Sequence, residues 1–318
     1  MRWSRSAVQV LLCALTLGVA APAHAERAKI ALTFDDLPAL TTLNDQPYVN
    51  YLNDTILRGL KRHHISAIGF VNEGKLDELD RKQQVAVLEK WLKASMNLGN
   101  HTFSHESPNV LGATGYIADI AKGEPVTRAL LAARHQKTRW FRYPFLETGT
   151  PEAVKKEIDA WLRTHSYRIA PVTIDADDWE FAEPYDDAIA RHNEPHRLRI
   201  KKEYLEYTEA MIVWYRSAAH ALFGRDISYV MLLHATRLNA DCIDEIAAML
   251  KKAKLRPVSL DEAMKDPAYR THDPYVGKDG IEWLERWSYE LNKELPWDSY
   301  RELPADIQAD YDKVDRDR

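Results

Sequence analysis

Seven short runs of β-branched and aromatic residues recur along this chain, and longer segments with apolar residues at helical spacing separate them. The runs cover 29–34, 66–71, 98–102, 140–143, 168–174, 229–234 and 255–258. The intervening patterns include 48–63, 84–96, 117–134, 151–165 and 241–252, with Pro151 and Asp241 standing where helices start. Strand and helix alternating in this way predict parallel strands joined by crossover helices. The expected fold class is therefore α/β, a distorted (β/α)7 barrel.

Two regions exceed a minimal barrel. A helical insertion of about 180–227 is polar over 186–202 and aromatic-apolar over 204–223. From 265 to 318 the chain is rich in aromatics, with Trp283 and Trp287 four apart, and ends in a charged run. The expectation is a helical tail whose Trp283, Trp287 and Trp297 pack on the barrel, followed by a frayed terminus.

The first residues predict export. Arg2 and Arg5 precede an apolar run at 8–21, and Ala23-His24-Ala25 is a small-x-small cleavage pattern. Residues 1–25 then form a signal peptide, 26–264 the barrel and 265–318 the tail. The apolar run is too short to span a membrane, and no later stretch is long enough, so no membrane anchor is expected. Cleavage removes two Arg and no acid, taking the formal charge from −5 to −7. A mildly acidic chain with no basic stripe excludes nucleic acid as the expected partner. Cys242 is the only cysteine beyond the leader, so stability has to come from a core. About 290 residues bury roughly three quarters of their unfolded surface, enough for one large unit.

Polar residues of catalytic type fall at the C-terminal ends of the predicted strands, where βα barrels build their sites. Asp35 and Asp36 close the first run. His101 and His105 follow the third, four apart, a spacing that lets two imidazoles share one ion on a helical turn or a tight strand-to-helix junction. Arg142 ends the fourth ahead of Pro144; Asp175, Asp177, Asp178 and Trp179 follow the fifth; Leu232 and His234 end the sixth. Alone, the Asp pair reads equally well as a helix start. His192 and His196 repeat the spacing in the insertion, but among Arg and Glu they read as a solvated face.

These five segments, in this order, resemble the polysaccharide deacetylase family, the NodB homology domain or carbohydrate esterase family 4, over about 29–258. The resemblance implies a divalent metal on Asp36, His101 and His105, zinc by default, with cobalt, nickel and manganese also suited to such ligands. It implies Asp35 as general base, steadied by Arg142, and His234 as general acid, supported by Asp178. The backbone N–H of Phe145 would receive the oxyanion, and Phe145, Trp179, Leu232 and Pro144 would surround the substrate. Two positions depart from the usual wording: Leu37 and Phe145, whose side chains are expected to narrow the mouth. The implied function is removal of N-acetyl groups from an extracellular or cell-wall glycan or its oligosaccharides. The alternatives are an O-acetyl esterase acting on a polymer such as xylan, and a non-catalytic glycan-binding module.

Overall fold

The computed structural model describes residues 27–136 and 139–314. The leader reading over 1–25 lies outside the described residues, as do the last four residues. Seven strands among the described residues form one all-parallel sheet: β1 (Lys29–Leu37), β2 (Ala67–Val71), β3 (Asn97–Asn100), β4 (Arg139–Phe141), β5 (Tyr167–Ile169), β6 (Tyr229–His234) and β7 (Arg256–Pro257). Their order is β5-β4-β3-β2-β1-β6, with β7 also pairing β1. Past β5, Ile174 bridges Met231 of β6 and carries the sheet towards closure without a full ladder. The α/β class and the distorted barrel are as read from the sequence. The fifth strand is shorter than the run over 168–174, because only Tyr167–Ile169 pair with β4 and the chain then crosses the gap to the Ile174 bridge.

Strand alternation sorts the side chains of β1. Ile30, Leu32 and Phe34 enter the outer core, and Ala31 joins Ile68, Phe70, Trp140 and Val230 in an inner cluster. Thr33 and Asp35 continue that inward row, so the same two-residue period that hides Phe34 delivers Asp35 to the barrel mouth. Leu37 is fully buried in the outer core and does not narrow the mouth as expected.

The helices are α1 (Gln46–Arg62), α2 (Arg81–Lys93), α3 (Pro108–Lys122), α4 (Pro125–Ala132), α5 (Glu152–Thr164), α6 (Asp178–Ala190), α7 (Glu194–Phe223), α8 (Arg237–Lys252), α9 (Leu260–Ala263), α10 (Trp283–Leu291) and α11 (Ala305–Val314). The segment expected as one helix over 117–134 is two, broken at Gly123-Glu124-Pro125. A Cβ on Gly123 would sit 2.4 Å from the Thr102 carbonyl carbon, so the break lets the chain pass against the histidine loop. Helix α8 starts one turn before Asp241, because Thr236 caps it by accepting from Asn239 N at 3.1 Å.

The insertion is α6 and α7; its polar stretch is exposed over 190–195, as read around His192, but it begins on a buried residue. Asp186 is buried and accepts hydrogen bonds from the Thr41 hydroxyl, Tyr48 Oη (2.6 Å) and Thr42 N (3.2 Å), tying α6 to the loop after β1. The C-terminus is not frayed up to Val314. Helix α11 packs on α6, with Ile307 and Tyr311 buried. Asp310 of that helix pairs with His196 at 2.8 Å and Arg199 at 2.6 Å. Trp283 and Trp287 are buried as expected, and Trp297 lies against Trp214 with ring centroids 5.1 Å apart.

Trp91 of α2 joins this scaffold to the catalytic end of β1. It meets Phe34 edge-on at 5.4 Å and donates to Asn53 Oδ1 (2.7 Å), whose amide donates to Pro38 O (2.8 Å). Trp91→Ala should therefore cost about 3–5 kcal/mol, the range for emptying a buried aromatic site; a urea titration followed by circular dichroism measures it, and a loss under 1 kcal/mol would contradict the account.

Candidate active site

The strand ends converge. Asp35 Oδ2 accepts from Arg142 Nη1 at 3.1 Å, while Arg142 Nη2 donates to Thr33 Oγ1 (3.1 Å) and Nε to Ala170 O (2.8 Å). Arg142 is fully buried, and its carbonyl accepts from His101 Nδ1 at 2.8 Å. That bond fixes the imidazole with Nε2 turned towards the carboxylates.

Asp36 adopts left-handed backbone, φ 63°, at the end of β1. Its Oδ1 lies 3.3 Å from His105 Nε2 and 3.6 Å from His101 Nε2. The two histidines stand on the tight junction, not on a helical turn. Thr102 and His105 have φ of 67° and 62°. Thr102 N donates to Asn100 Oδ1 (2.7 Å), His105 N to Thr102 Oγ1 (3.1 Å), and Asp119 Oδ2 accepts from Phe103 N and Ser104 N.

The ligand atoms of Asp36, His101 and His105 lie within 4.8 Å of one another, the single such group of three among the described residues. The chemistry fits a divalent cation. Asp36 Oδ1 is buried without a hydrogen-bond donor, and two imidazoles with one carboxylate leave coordination positions open, as catalytic rather than structural sites do. Burial raises the Asp36 carboxyl, but His105, Lys75 and His101 outweigh it and hold it well below the carboxylate range. Burial first, then the charge of His105, pushes His101 down, keeping it neutral and able to ligate. His192 and His196 make no second site; His196 pairs with Asp310.

Across the mouth, His234 Nδ1 meets Asp178 Oδ1 at 2.7 Å, and its backbone N–H donates to Asp178 Oδ2 at 2.7 Å. The Asn239 amide donates to Asp178 Oδ2 and to His234 O (2.9 Å), and Tyr204 Oη donates to Asn239 Oδ1 (2.6 Å). All acceptors in this buried chain are satisfied, and Tyr204 comes from the insertion. Burial lowers the His234 pKa, but the Asp178 charge and hydrogen bond win and raise it to about 9. Burial raises Asp35 to about 6 against the pull of Arg142 and His234. It lowers Arg142 too, although a guanidinium starts so high that it stays charged.

A cavity of about 360 Å³ joins the two halves. Phe145, Trp179 and Leu232 line it, as read from the sequence; Pro144 does not, being buried behind the turn that presents Phe145. Phe145 is half exposed and its ring packs edge-on against His105, centroids 4.5 Å apart. Sequence reasoning missed Glu183, Glu282 and Tyr311, which line the same cavity from the insertion and the tail. No motif marked them, since they reach the site only through helix packing. Asp175 and Asp177, left ambiguous, also line it; Asp175 Oδ1 accepts from Asp177 N (3.0 Å) and Asp177 Oδ2 from Tyr207 Oη (2.8 Å).

Residues 23–161 match a family model described as polysaccharide deacetylase. The chain's resemblance is to the polysaccharide deacetylases. Among solved structures, a CE4 family pseudoenzyme from Bacillus anthracis is 19% identical, covering 76% of this chain and 66% of its own, with a TM-score of 0.51. A mutant of that pseudoenzyme with restored enzymatic activity is 21% identical over 76% and 69%, at 0.51. A polysaccharide deacetylase from Bacillus cereus is 16% identical over 73% and 92%, at 0.50. No curated protein matches the sequence. At these identities the structural likeness establishes the fold of the polysaccharide deacetylases. With a pseudoenzyme among the similar structures, activity is a question for the side chains.

Two measurements check the site. Calorimetric titration with zinc should show one tight site that Asp36→Ala abolishes while the fold persists; unchanged binding in the variant would place the ion elsewhere. Proton–carbon NMR should give His234 a pKa near 9 that falls markedly in Asp178→Asn, because the largest opponent of burial is then gone and only the charges of Asp36 and Asp35 still raise it.

Proposed function

We propose that this chain is an exported, metal-dependent carbohydrate deacetylase that hydrolyses N-acetyl groups on an acetylated glycan or its oligosaccharides. One observation carries the reading: Asp35 and His234 occupy paired positions on neighbouring strands β1 and β6, and their surroundings set them for opposite proton tasks.

Asp36, His101 and His105 would hold the divalent ion, which supplies Lewis acidity to the attacking water and the acetyl carbonyl. Asp35 is suited to take the proton of that water: its carboxyl, at about 6, is ionised at neutral pH yet basic enough to accept. Arg142 fixes one carboxylate oxygen and leaves Oδ1 without a hydrogen-bond partner. The N–H of Phe145, a residue that lines the cavity, would stabilise the oxyanion. His234 Nδ1 is engaged by Asp178, so Nε2 is the atom that delivers a proton to the departing amine nitrogen. Carbon–nitrogen cleavage then gives acetate and the free amine. Leu232 and Trp179 offer apolar surface to the acetyl methyl.

The test is acetate release from an N-acetylglucosamine oligomer, with acetylated xylan as comparison. Asp35→Asn should lower kcat at least ~10³-fold. His234→Ala should harm amide hydrolysis more than ester hydrolysis, because an amine is the poorer leaving group. His234 carries its proton below about 9 and loses it above, so the amide rate should fall as pH rises through about 9. Release from xylan alone would move the assignment to an esterase; release from neither by metal-loaded protein would leave glycan binding.

A further inference from the structure

Arg286 of α10 is a fully buried arginine that none of the chemistry above uses, and it lies far outside the residues matched by the family model, 23–161. Its guanidinium divides its donors between the chain that follows Phe145 and the tail itself. Nη2 donates to Leu146 O (2.5 Å), Nη1 to Thr148 Oγ1 (3.1 Å) and to Asp273 Oδ2 (3.2 Å), and Nε to Ile281 O (2.8 Å). Trp283 covers the guanidinium at 4.3 Å and Tyr275 at 5.1 Å. Asp273 is held in turn by Lys155 of α5 at 3.3 Å.

The turn so gripped carries Phe145, whose N–H the deacetylase reading assigns to the oxyanion. Phe145 and Leu146 both have left-handed backbone, φ 54° and 56°, although neither is glycine. Such geometry persists only where the surroundings over-determine it. Within the turn itself the support is thin: Leu146 N bonds Tyr143 O (3.1 Å) and Glu147 N bonds Pro144 O (3.1 Å). Ser107 and Asn109 at the start of α3 hold Glu147, and the tail adds the Arg286 bonds. Gly280 passes so close that a Cβ there would lie 1.6 Å from Phe145 O, leaving no room for the turn to relax outward.

We propose that Arg286 is a positioning residue for the oxyanion-binding N–H of Phe145, so that the C-terminal tail is part of the catalytic apparatus rather than an appended packing element. The proposal rests on the deacetylase reading for its kinetic consequence. A planar fork with five donors reaches a main-chain carbonyl, a hydroxyl and a carboxylate at once; a lysine ammonium has neither the span nor the plane.

The experiment uses the full chain labelled with nitrogen-15 at its seven phenylalanines, with the Phe145 amide assigned through Phe145→Leu. Arg286→Met and Thr148→Val are compared with the unaltered protein. In Arg286→Met the Phe145 amide resonance should move or broaden while the other six stay in place, and kcat for acetate release should fall ~100-fold with KM nearly constant, the effect of misplacing one oxyanion donor. Thr148→Val removes one of the bonds and should displace the same resonance with a smaller loss of kcat. If Arg286→Met fails to fold, Thr148→Val decides alone. An unmoved Phe145 resonance in a folded variant, or displacement of all seven together, overturns the proposal. If the unaltered protein releases no acetate from any glycan, the deacetylase reading fails while the resonance still decides whether Arg286 holds the turn.

Discussion

The buried Arg142–Asp35 pair is the interaction around which the catalytic end of the barrel is assembled. Its guanidinium joins β1, through Asp35 and Thr33, to the segment after β5, through Ala170 O, and its own carbonyl fixes the His101 ring. Phe70 covers the guanidinium at 4.9 Å. Removing one partner of such a pair leaves a charge with no water to receive it, a loss of about 3–5 kcal/mol. Arg142 therefore opposes the rise that burial imposes on Asp35 and also fixes the orientation of a metal ligand.

Around that pair the proton states are arranged by contrast. Asp36 is held low by histidines and Lys75, Asp35 is raised by burial, and His234 is raised by Asp178. All sit within one small cavity, so their differences come from neighbours rather than from depth. A carboxylate flanked by cationic groups ionises readily, a carboxylate in a dry barrel does not, and an imidazole against a carboxylate keeps its proton.

The parts added to the barrel are built into this arrangement. Tyr204 of α7 completes the chain behind His234, Asp186 of α6 anchors the loop beyond Asp36, and α10 grips the Phe145 turn. Helix α11 sets Tyr311 against Trp179 at 5.1 Å and brings both to the cavity wall. These contacts give the mouth acidic and aromatic walls drawn from the insertion and the tail.

Much of this was legible before any coordinates. Strand positions followed from short β-branched and aromatic runs between helical patterns, the candidate polar residues from their places at strand ends, and their roles as ligands and proton carriers from the family resemblance. Local rules failed where long-range packing intervened. Gly123 broke a continuous helical pattern because the histidine loop passes against it. The anchoring role of Asp186 had no local signal, because a sequence does not reveal the hydroxyls of Thr41 and Tyr48 that donate to it. The charged terminus looked frayed because its partners, His196 and Arg199, lie more than a hundred residues away. By itself, then, the sequence determined the parallel α/β barrel and which polar residues stand at its mouth, since periodicity and order along the chain are local properties. Only the tertiary structure decided how those residues are charged, which helices wall the cavity and what holds the Phe145 turn, because burial and hydrogen-bond partners arise between segments far apart in the chain.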